Sequence, residues 1–183
     1  PAGEEWLHEI KYDGYRMICR IYGRQVRFIS RNQQDWTKRL GKPLMAAARS
    51  LPVTQALLDG EVVVVRPDGT TDFQALQNAF RDQRDQDLQY YIFDLLHLDG
   101  KNLGDLALEE RKGLLARLLA SVGKNSPFKY SPHVAGQGSE FQAEACRLRL
   151  EGCVSKRRDQ PYRSGRGYDW LKIKCVHKDE FVI

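Results

Sequence analysis

Lys11, Asp13 and Arg16 fall within the nine residues His8-Glu9-Ile10-Lys11-Tyr12-Asp13-Gly14-Tyr15-Arg16. A lysine so placed could act as a nucleophile. Its ammonium form cannot, so the amine has to lose its proton, through desolvation or a neighbouring cation. Arg16 is a cation close in sequence, and Asp13 could hold or receive the proton. The same residues also fit a solvated lysine beside a turn, so the flanking elements have to decide.

Those elements place Lys11 well. Trp6-Leu7-His8-Glu9-Ile10 alternates like a strand, Asp13-Gly14 signals a turn, and a second strand starts at Tyr15 and carries Met17, Ile18 and Ile21. Lys11 is therefore expected at the lip of a sheet, held rigidly yet reachable. Val26-Arg27-Phe28-Ile29 continues the antiparallel pattern and Ser30-Arg31-Asn32 closes it.

Further along, residues 37–50 have the apolar spacing of a helix, with Pro43 an obstacle inside it. Asp59-Gly60-Glu61 leads into Val62-Val63-Val64-Val65, a buried strand ended by the turn Pro67-Asp68-Gly69. Asp72 can cap a short helix bearing Phe73, Leu76, Ala79 and Phe80. Tyr90-Tyr91-Ile92-Phe93-Asp94 reads as another strand. A helix is expected from Leu108 to Val122, with Arg111 on its first turn, stopped by Gly123. A second helix is expected from Ser139, with Gln142 completing a capping box and Gly152 at its end. Glu151 and Lys156 flank the last short strand but one. In Asp169-Trp170-Leu171-Lys172-Ile173-Lys174, the two lysines alternate with apolar residues and share one face of a strand. Like charges on one face repel unless an anion lies between them; an edge strand with both lysines in water is the plainer alternative.

The 183 residues form one domain, or two small ones, with 42% hydrophobic and 29% charged residues, an ordinary globular mixture. No apolar run reaches membrane-spanning length and no signal peptide opens the chain. The first residue, Pro1, suggests a piece of a longer protein. Of the 29 Lys and Arg and 24 Asp and Glu, ten and five lie in 147–183, leaving 19 of each elsewhere. The whole +5 excess thus sits in the last fifth, as expected of a surface meeting a polyanion, or of a solvated cationic face. Cys19, Cys146, Cys153 and Cys175 contain no C-x-x-C pair and read as reduced, mostly buried thiols of a cytosolic protein. His133 and His177 lack zinc-ligand spacing. No G-x-x-x-x-G-K-[ST] occurs, which disfavours a P-loop kinase or ATPase.

Lys-x-Asp-Gly-x-Arg resembles the signature of the covalent nucleotidyltransferases: DNA ligases, RNA ligases and capping enzymes. Ser30-Arg31-Asn32, Glu61, Phe93-Asp94, Glu151-Gly152 and Lys172-x-Lys174 follow in that family's order across nearly the whole chain. The sequence is most similar to the adenylation domain of an ATP-dependent DNA ligase. Ser155 through Arg166, with Phe93-Asp94-Leu95-Leu96-His97-Leu98-Asp99-Gly100, narrows the likeness to the ligase module of bacterial non-homologous end-joining enzymes. Cys153 stands where valine is usual, and a small apolar thiol should pack similarly.

The resemblance implies an α+β fold of antiparallel sheets flanked by helices, ATP-grasp-like, with residues 1–183 as the adenylation domain and the following OB-fold domain absent. It implies ATP as cofactor, a covalent AMP on Lys11, and Mg²⁺ or Mn²⁺. By the same likeness Glu9 and the backbone at Ile10 set the adenine end, Phe93 stacks on the purine, and Arg16 and Glu61 hold the ribose. Glu61 and Glu151 are the metal candidates, Glu151 through water. Lys172 and Lys174 neutralise the α-phosphate, with Asp13 counted among the catalytic group. Arg111 is expected to pack its helix or to face the site. Arg31 and the stretch from Arg157 to Arg166 would grip DNA. Nicked or broken duplex DNA, Ku and a fused polymerase module are the implied partners, for a monomer in a bacterial cytoplasm near the nucleoid. The rivals are an RNA ligase, a capping guanylyltransferase, and a non-catalytic basic DNA-binding module.

Overall fold

The computed structural model describes residues 1, 3–165 and 167–175. The strands make two mainly antiparallel sheets. β1 (Trp6–Ile10), β8 (His133–Ala135), β9 (Gly152–Arg157) and β10 (Trp170–Lys174) form a four-stranded sheet in the order β10-β9-β1-β8. The larger sheet runs β3 (Gln25–Ser30), β2 (Tyr15–Tyr22), β4 (Gln55–Val64), β5 (Leu88–Leu98), β6 (Lys101–Asn102), with β7 (Phe128–Tyr130) parallel to β5. Only the four residues Lys11-Tyr12-Asp13-Gly14 separate β1 in one sheet from β2 in the other. A Cβ on Gly14 would lie 2.2 Å from the Val62 carbonyl oxygen, so no other residue fits there without movement.

The core lies on one side of the larger sheet, where Met17, Cys19, Phe28, Leu58, Tyr90 and Ile92 pack with residues of three helices. These are α1 (Gly41–Ser50), α2 (Phe73–Arg81) and α3 (Leu108–Leu119). Pro43 falls in the first turn of α1, where its missing N–H costs no helical bond, so the helix begins four residues later than its periodicity suggests. Asp72 caps α2 as expected, accepting from the Ala75 N–H at 3.0 Å. α3 stops at Leu119, where the Ser121 hydroxyl donates to the Leu118 carbonyl.

α4 (Gly138–Arg147) packs on the smaller sheet, its Phe141 ring 6.1 Å from that of His8. It corrects two expectations. No capping box forms at Ser139, because the helix already begins at Gly138 behind a left-handed Gln137 with no side-chain cap. Gly138 is pressed against His8 and the Pro1 carbonyl, leaving no room for a Cβ. Nor does Gly152 end the helix; it opens β9 with φ +146°, where a Cβ would lie 2.0 Å from the Ile173 carbonyl oxygen.

The cysteines also differ from expectation. Cys19 and Cys153 are free and buried, but Cys146 and Cys175 form a disulfide, with Cα atoms 5.3 Å apart. It joins the last turn of α4 to the residue after β10. Sequence spacing holds no sign of this pair, because the fold brings together residues 29 positions apart. No helix among the described residues is long and apolar enough to cross a membrane.

Candidate active site

The two sheets face each other along a seam, or closed cleft, where Arg16 and Phe93 of the larger meet Trp170 and Lys156 of the smaller. In register, Glu9 and Lys172 both lie opposite Val154, and Trp170 lies opposite Lys156, so these side chains share one face of the smaller sheet. The larger sheet supplies Arg16, directly opposite Glu61, and Asp59 two residues before it. Phe93 comes from an irregularity in β5: Asp94 pairs with Asp59 and Ile92 with Gly60, so Phe93 is the extra residue. A bulge of this kind re-aims a side chain.

At the mouth, the Lys11 N–H donates to the Gly152 carbonyl at 3.0 Å, extending the pairing of β1 with β9 by one residue. That sets Lys11 beside Glu151, and their side chains form an ion pair through Oε1. Lys174 Nζ reaches the same oxygen at 3.9 Å. Glu151 thus lies as an anion between Lys11 and Lys174, not between Lys172 and Lys174 as the strand pattern suggests. Glu151 Oε2 is buried with no hydrogen-bond partner among the described residues.

Lys172 completes the cluster. Burial, with the charges of Lys11, Arg16 and Arg31, pulls its pKa below the ordinary lysine value. Arg31, exposed in the turn after β3, therefore adds its charge to this end of the cleft. Burial pushes Glu61 up to about 7, against the opposing pull of Arg16, Lys11 and Lys172. A carboxyl that titrates near neutrality among three cations has lost much of its hydration and gained no close partner.

The inner end is dry. Glu9, 1% exposed, accepts from Lys112 Nζ at 2.8 Å and from the Ser131 hydroxyl at 2.9 Å, and pairs with Lys156 Nζ at 3.0 Å. Lys156 Nζ also lies 4.2 Å from the Phe93 ring centre and 4.1 Å from that of Trp170. Those two rings meet edge to face. Arg16 grips Asp59 with two hydrogen bonds of 3.0 and 2.6 Å, and Tyr162 donates its hydroxyl to the same carboxylate at 3.2 Å. Ile10 ends β1 opposite Cys153.

One sequence-based assignment needs correction. The carboxylate at the Lys11 amine is Glu151, not Asp13. Asp13 turns to α2, its Oδ2 accepting from the Phe73 N–H at 3.1 Å, while its own N–H donates to Thr71 Oγ1. Arg111 takes the packing role expected of its helix. It is fully buried, bound to Asp94 by two hydrogen bonds of 2.8 and 2.9 Å and donating to the carbonyls of Leu106 and Gln160.

Of the basic stretch, Arg157 pairs with Asp159 and Arg158 with Glu109, while Arg163 comes within 3.9 Å of Asp169. Arg166 and His177 lie outside the described residues. His133 bonds the Tyr130 hydroxyl, and no group of three or more metal-ligating side chains occurs among the described residues. Asp59, Lys112, Lys156, Tyr162 and Trp170 were not singled out from the sequence as parts of the cleft. Asp59, in Asp-Gly-Glu, and Lys156, at the end of the Glu151 run, carried the most visible signal.

This chain belongs to the ATP-dependent DNA ligase family, whose domain model matches residues 2–174. It is 44% identical to the multifunctional non-homologous end joining protein LigD of Pseudomonas aeruginosa, covering all of this chain and 22% of that protein. It is 35% identical to the LigD protein of Mycobacterium tuberculosis over 98% of this chain and 23% of that one. The chain therefore spans less than a quarter of these curated relatives. Among solved structures, the ligase domain of M. tuberculosis LigD superposes with a TM-score of 0.81 at 31% identity, over 94% of this chain and 56% of that one. Mycobacterial DNA ligase D complexed with ATP and MES gives 0.79 at 30%, over 94% of this chain and 55% of that one. The bacteriophage T7 ATP-dependent ligase, at 17% identity and a TM-score of 0.62, shares the fold.

Proposed function

We propose that the chain binds ATP in the cleft between its sheets and carries AMP on Lys11 as the adenylation unit of a DNA-joining enzyme. The observation that carries this reading is the meeting of Lys11, Glu151, Glu61, Lys172 and Lys174 at the mouth of a cleft walled by Phe93. Lys11 Nζ attacks the α-phosphorus, forming a phosphoramidate as the bond to pyrophosphate breaks. AMP then passes to a DNA 5′-phosphate, and a 3′-hydroxyl displaces it to close the strand.

Each side chain has a physical task. Glu151, already at the amine, takes its proton. Lys172 and Lys174 neutralise the α-phosphate, which replaces Glu151 as the anion between cations. Arg16 and Glu61 hold the ribose, and Phe93 stacks on the base, worth roughly 1–3 kcal/mol by analogy with base stacking on aromatic side chains. Glu9 and the Ile10 backbone set the adenine end.

A divalent cation fits the mouth. Among the described residues Glu151 Oε2 lacks a partner, and burial holds the Glu61 carboxyl near 7 among cations. Two carboxylates completed by water and phosphate suit Mg²⁺ or Mn²⁺. When bound, the metal would act as a Lewis acid toward the phosphates.

Arg31 and the arginines of 157–166 would contact the DNA backbone, a salt-sensitive interaction. Broken duplex DNA, Ku and a linked polymerase are the partners this reading implies, for a monomeric protein of the bacterial cytoplasm near the nucleoid. Intact-mass spectrometry tests it: after incubation with ATP and Mg²⁺ the chain should gain one AMP, and Lys11→Ala should gain none. An adduct formed from α-labelled GTP alone, or the same adduct on Lys11→Ala, would reject it.

A further inference from the structure

Lys112 carries no role in the steps above, yet it is a fully buried lysine with three acceptors from three parts of the fold. Its Nζ reaches Glu9 Oε1 on β1 at 2.8 Å, the Ser131 carbonyl after β7 at 3.1 Å, and the Phe93 carbonyl on β5 at 3.4 Å. The Tyr130 ring centre lies 4.8 Å away. An ammonium has three N–H donors, so every one is used. The preceding residue, Arg111, holds the Asp94 carboxylate. One turn of α3 thus clasps Phe93-Asp94 at two points and ties the first of them to Glu9.

We infer that Lys112 is the positioning residue for base selectivity. By fastening the Glu9 carboxylate to the backbone at Phe93, it fixes an acceptor where the 6-amino group of adenine would donate, and so turns away a 6-oxo purine. This rests on the reading of Glu9 as the adenine contact. Two carboxylate oxygens offer about four acceptor positions. Lys112, Ser131 and Lys156 use three among the described residues, which leaves capacity for one more donor. A purine with oxygen at C6 would bring lone pairs against that carboxylate.

The groups facing Glu9 are Lys112 from α3, Lys156 from β9, Ser131, Tyr130 and His133 from the segment around β7 and β8, and Tyr12 beyond β1. Burial alone would raise the Glu9 pKa, but Lys156 and Lys112 outweigh it and hold it below the ordinary carboxylate range. Removing Lys112 takes away one of these cations and raises that pKa. A protonated Glu9 can then donate to a 6-oxo group, so selectivity should fall as the pH is lowered.

The test is titration calorimetry of the 183-residue chain with AMP and with IMP between about pH 5.5 and 8. Wild type should prefer AMP by a ratio that stays flat across this range. Lys112→Met should lose about tenfold of that ratio at the acid end and less at the basic end, the scale of one charged hydrogen bond. Lys112→Arg, keeping a cation, should recover part of it. A merely structural lysine would change both affinities together and leave the ratio flat with pH. If Lys112→Met fails to fold, the double variant Glu9→Gln with Lys112→Met removes the unpaired carboxylate and should bind both nucleotides alike. A wild-type ratio in whichever of these variants folds overturns the inference. A wild type that binds AMP without preferring it removes the Glu9 reading and the inference with it. Absence of any nucleotide binding instead sinks the proposed function.

Discussion

The two ends of the cleft hold similar numbers of charges in opposite conditions. At the mouth, Lys174 is 72% exposed and Glu151 26%, and one carboxylate oxygen serves two lysines. At the inner end, Glu9, Lys112, Lys156 and Asp59, with Asp94 and Arg111 packed behind them, are all essentially buried, each held by short bonds to named partners. Buried charges are tolerated only when fully paired, and that pairing fixes them in place. Exposed charges gain little from pairing and can follow a phosphate as its charge shifts. The contrast suggests that the inner end measures the nucleotide while the mouth does the chemistry.

The sharpest way to break this contrast is to remove the mouth lysines. Lys172→Ala with Lys174→Ala should slow Lys11 adduct formation by at least about 10²-fold, the scale of losing a preorganised charge partner. The melting temperature should hardly move, since surface changes stay within about 0.5 kcal/mol. A large loss of stability without loss of rate would reverse the assignment of the two ends.

The inner end should respond the other way. Arg111→Met leaves Asp94 buried and unpaired, at a cost of about 3–5 kcal/mol. For a domain of this size that is a fall of roughly 10 °C in thermal melting. Adding Asp94→Leu should restore much of it, because the stranded charge is then gone. Reduction of Cys146–Cys175 should cost somewhat less, roughly 2–4 kcal/mol. Thermal melts with and without reductant read it directly, and no shift would mean that the α4 to β10 link adds nothing to the folded state.

The mouth was more legible in the sequence than the inner end, and the reason is physical. Lys11, Glu61, Glu151, Lys172 and Lys174 occur in short local patterns beside or within strands, and alternation alone puts Lys172 and Lys174 on one strand face. The buried clasp depends on contacts distant in the chain: Glu9 with Lys112 is 103 residues apart, Arg16 with Tyr162 146. Lys112 sits in a helix whose apolar stripe explains the helix without it, and Arg111 beside it reads as packing with no sign of Asp94 as its partner. Phe93 was legible as an aromatic on a strand, but its aim depends on a bulge that only pairing with β4 reveals. Asp13 misled because nearness in sequence to Lys11 is not nearness of side chains; the turn sends it to α2.

Glu61 lies between the two regimes and gives the smallest effect. Burial raises its pKa to about 7, well above the value of an unfolded glutamate. Between those two pKa values the folded state binds more protons than the unfolded one, so the contribution of Glu61 to stability falls as pH rises. Below the unfolded pKa, both states are protonated and the site costs nothing. Glu61→Gln should therefore melt with wild type near pH 5 and above it at pH 8, by roughly 1–2 kcal/mol once solvent screening is allowed for. Melting curves at the two pH values decide it, and a constant offset would place the Glu61 carboxyl outside the field of Lys11, Arg16 and Lys172. Wild-type adduct formation should rise with pH through about 7, since only ionised Glu61 can serve a metal or a ribose hydroxyl as a charged acceptor. Glu61→Gln should lose that step in the profile, which separates its action at the mouth from its cost to the fold.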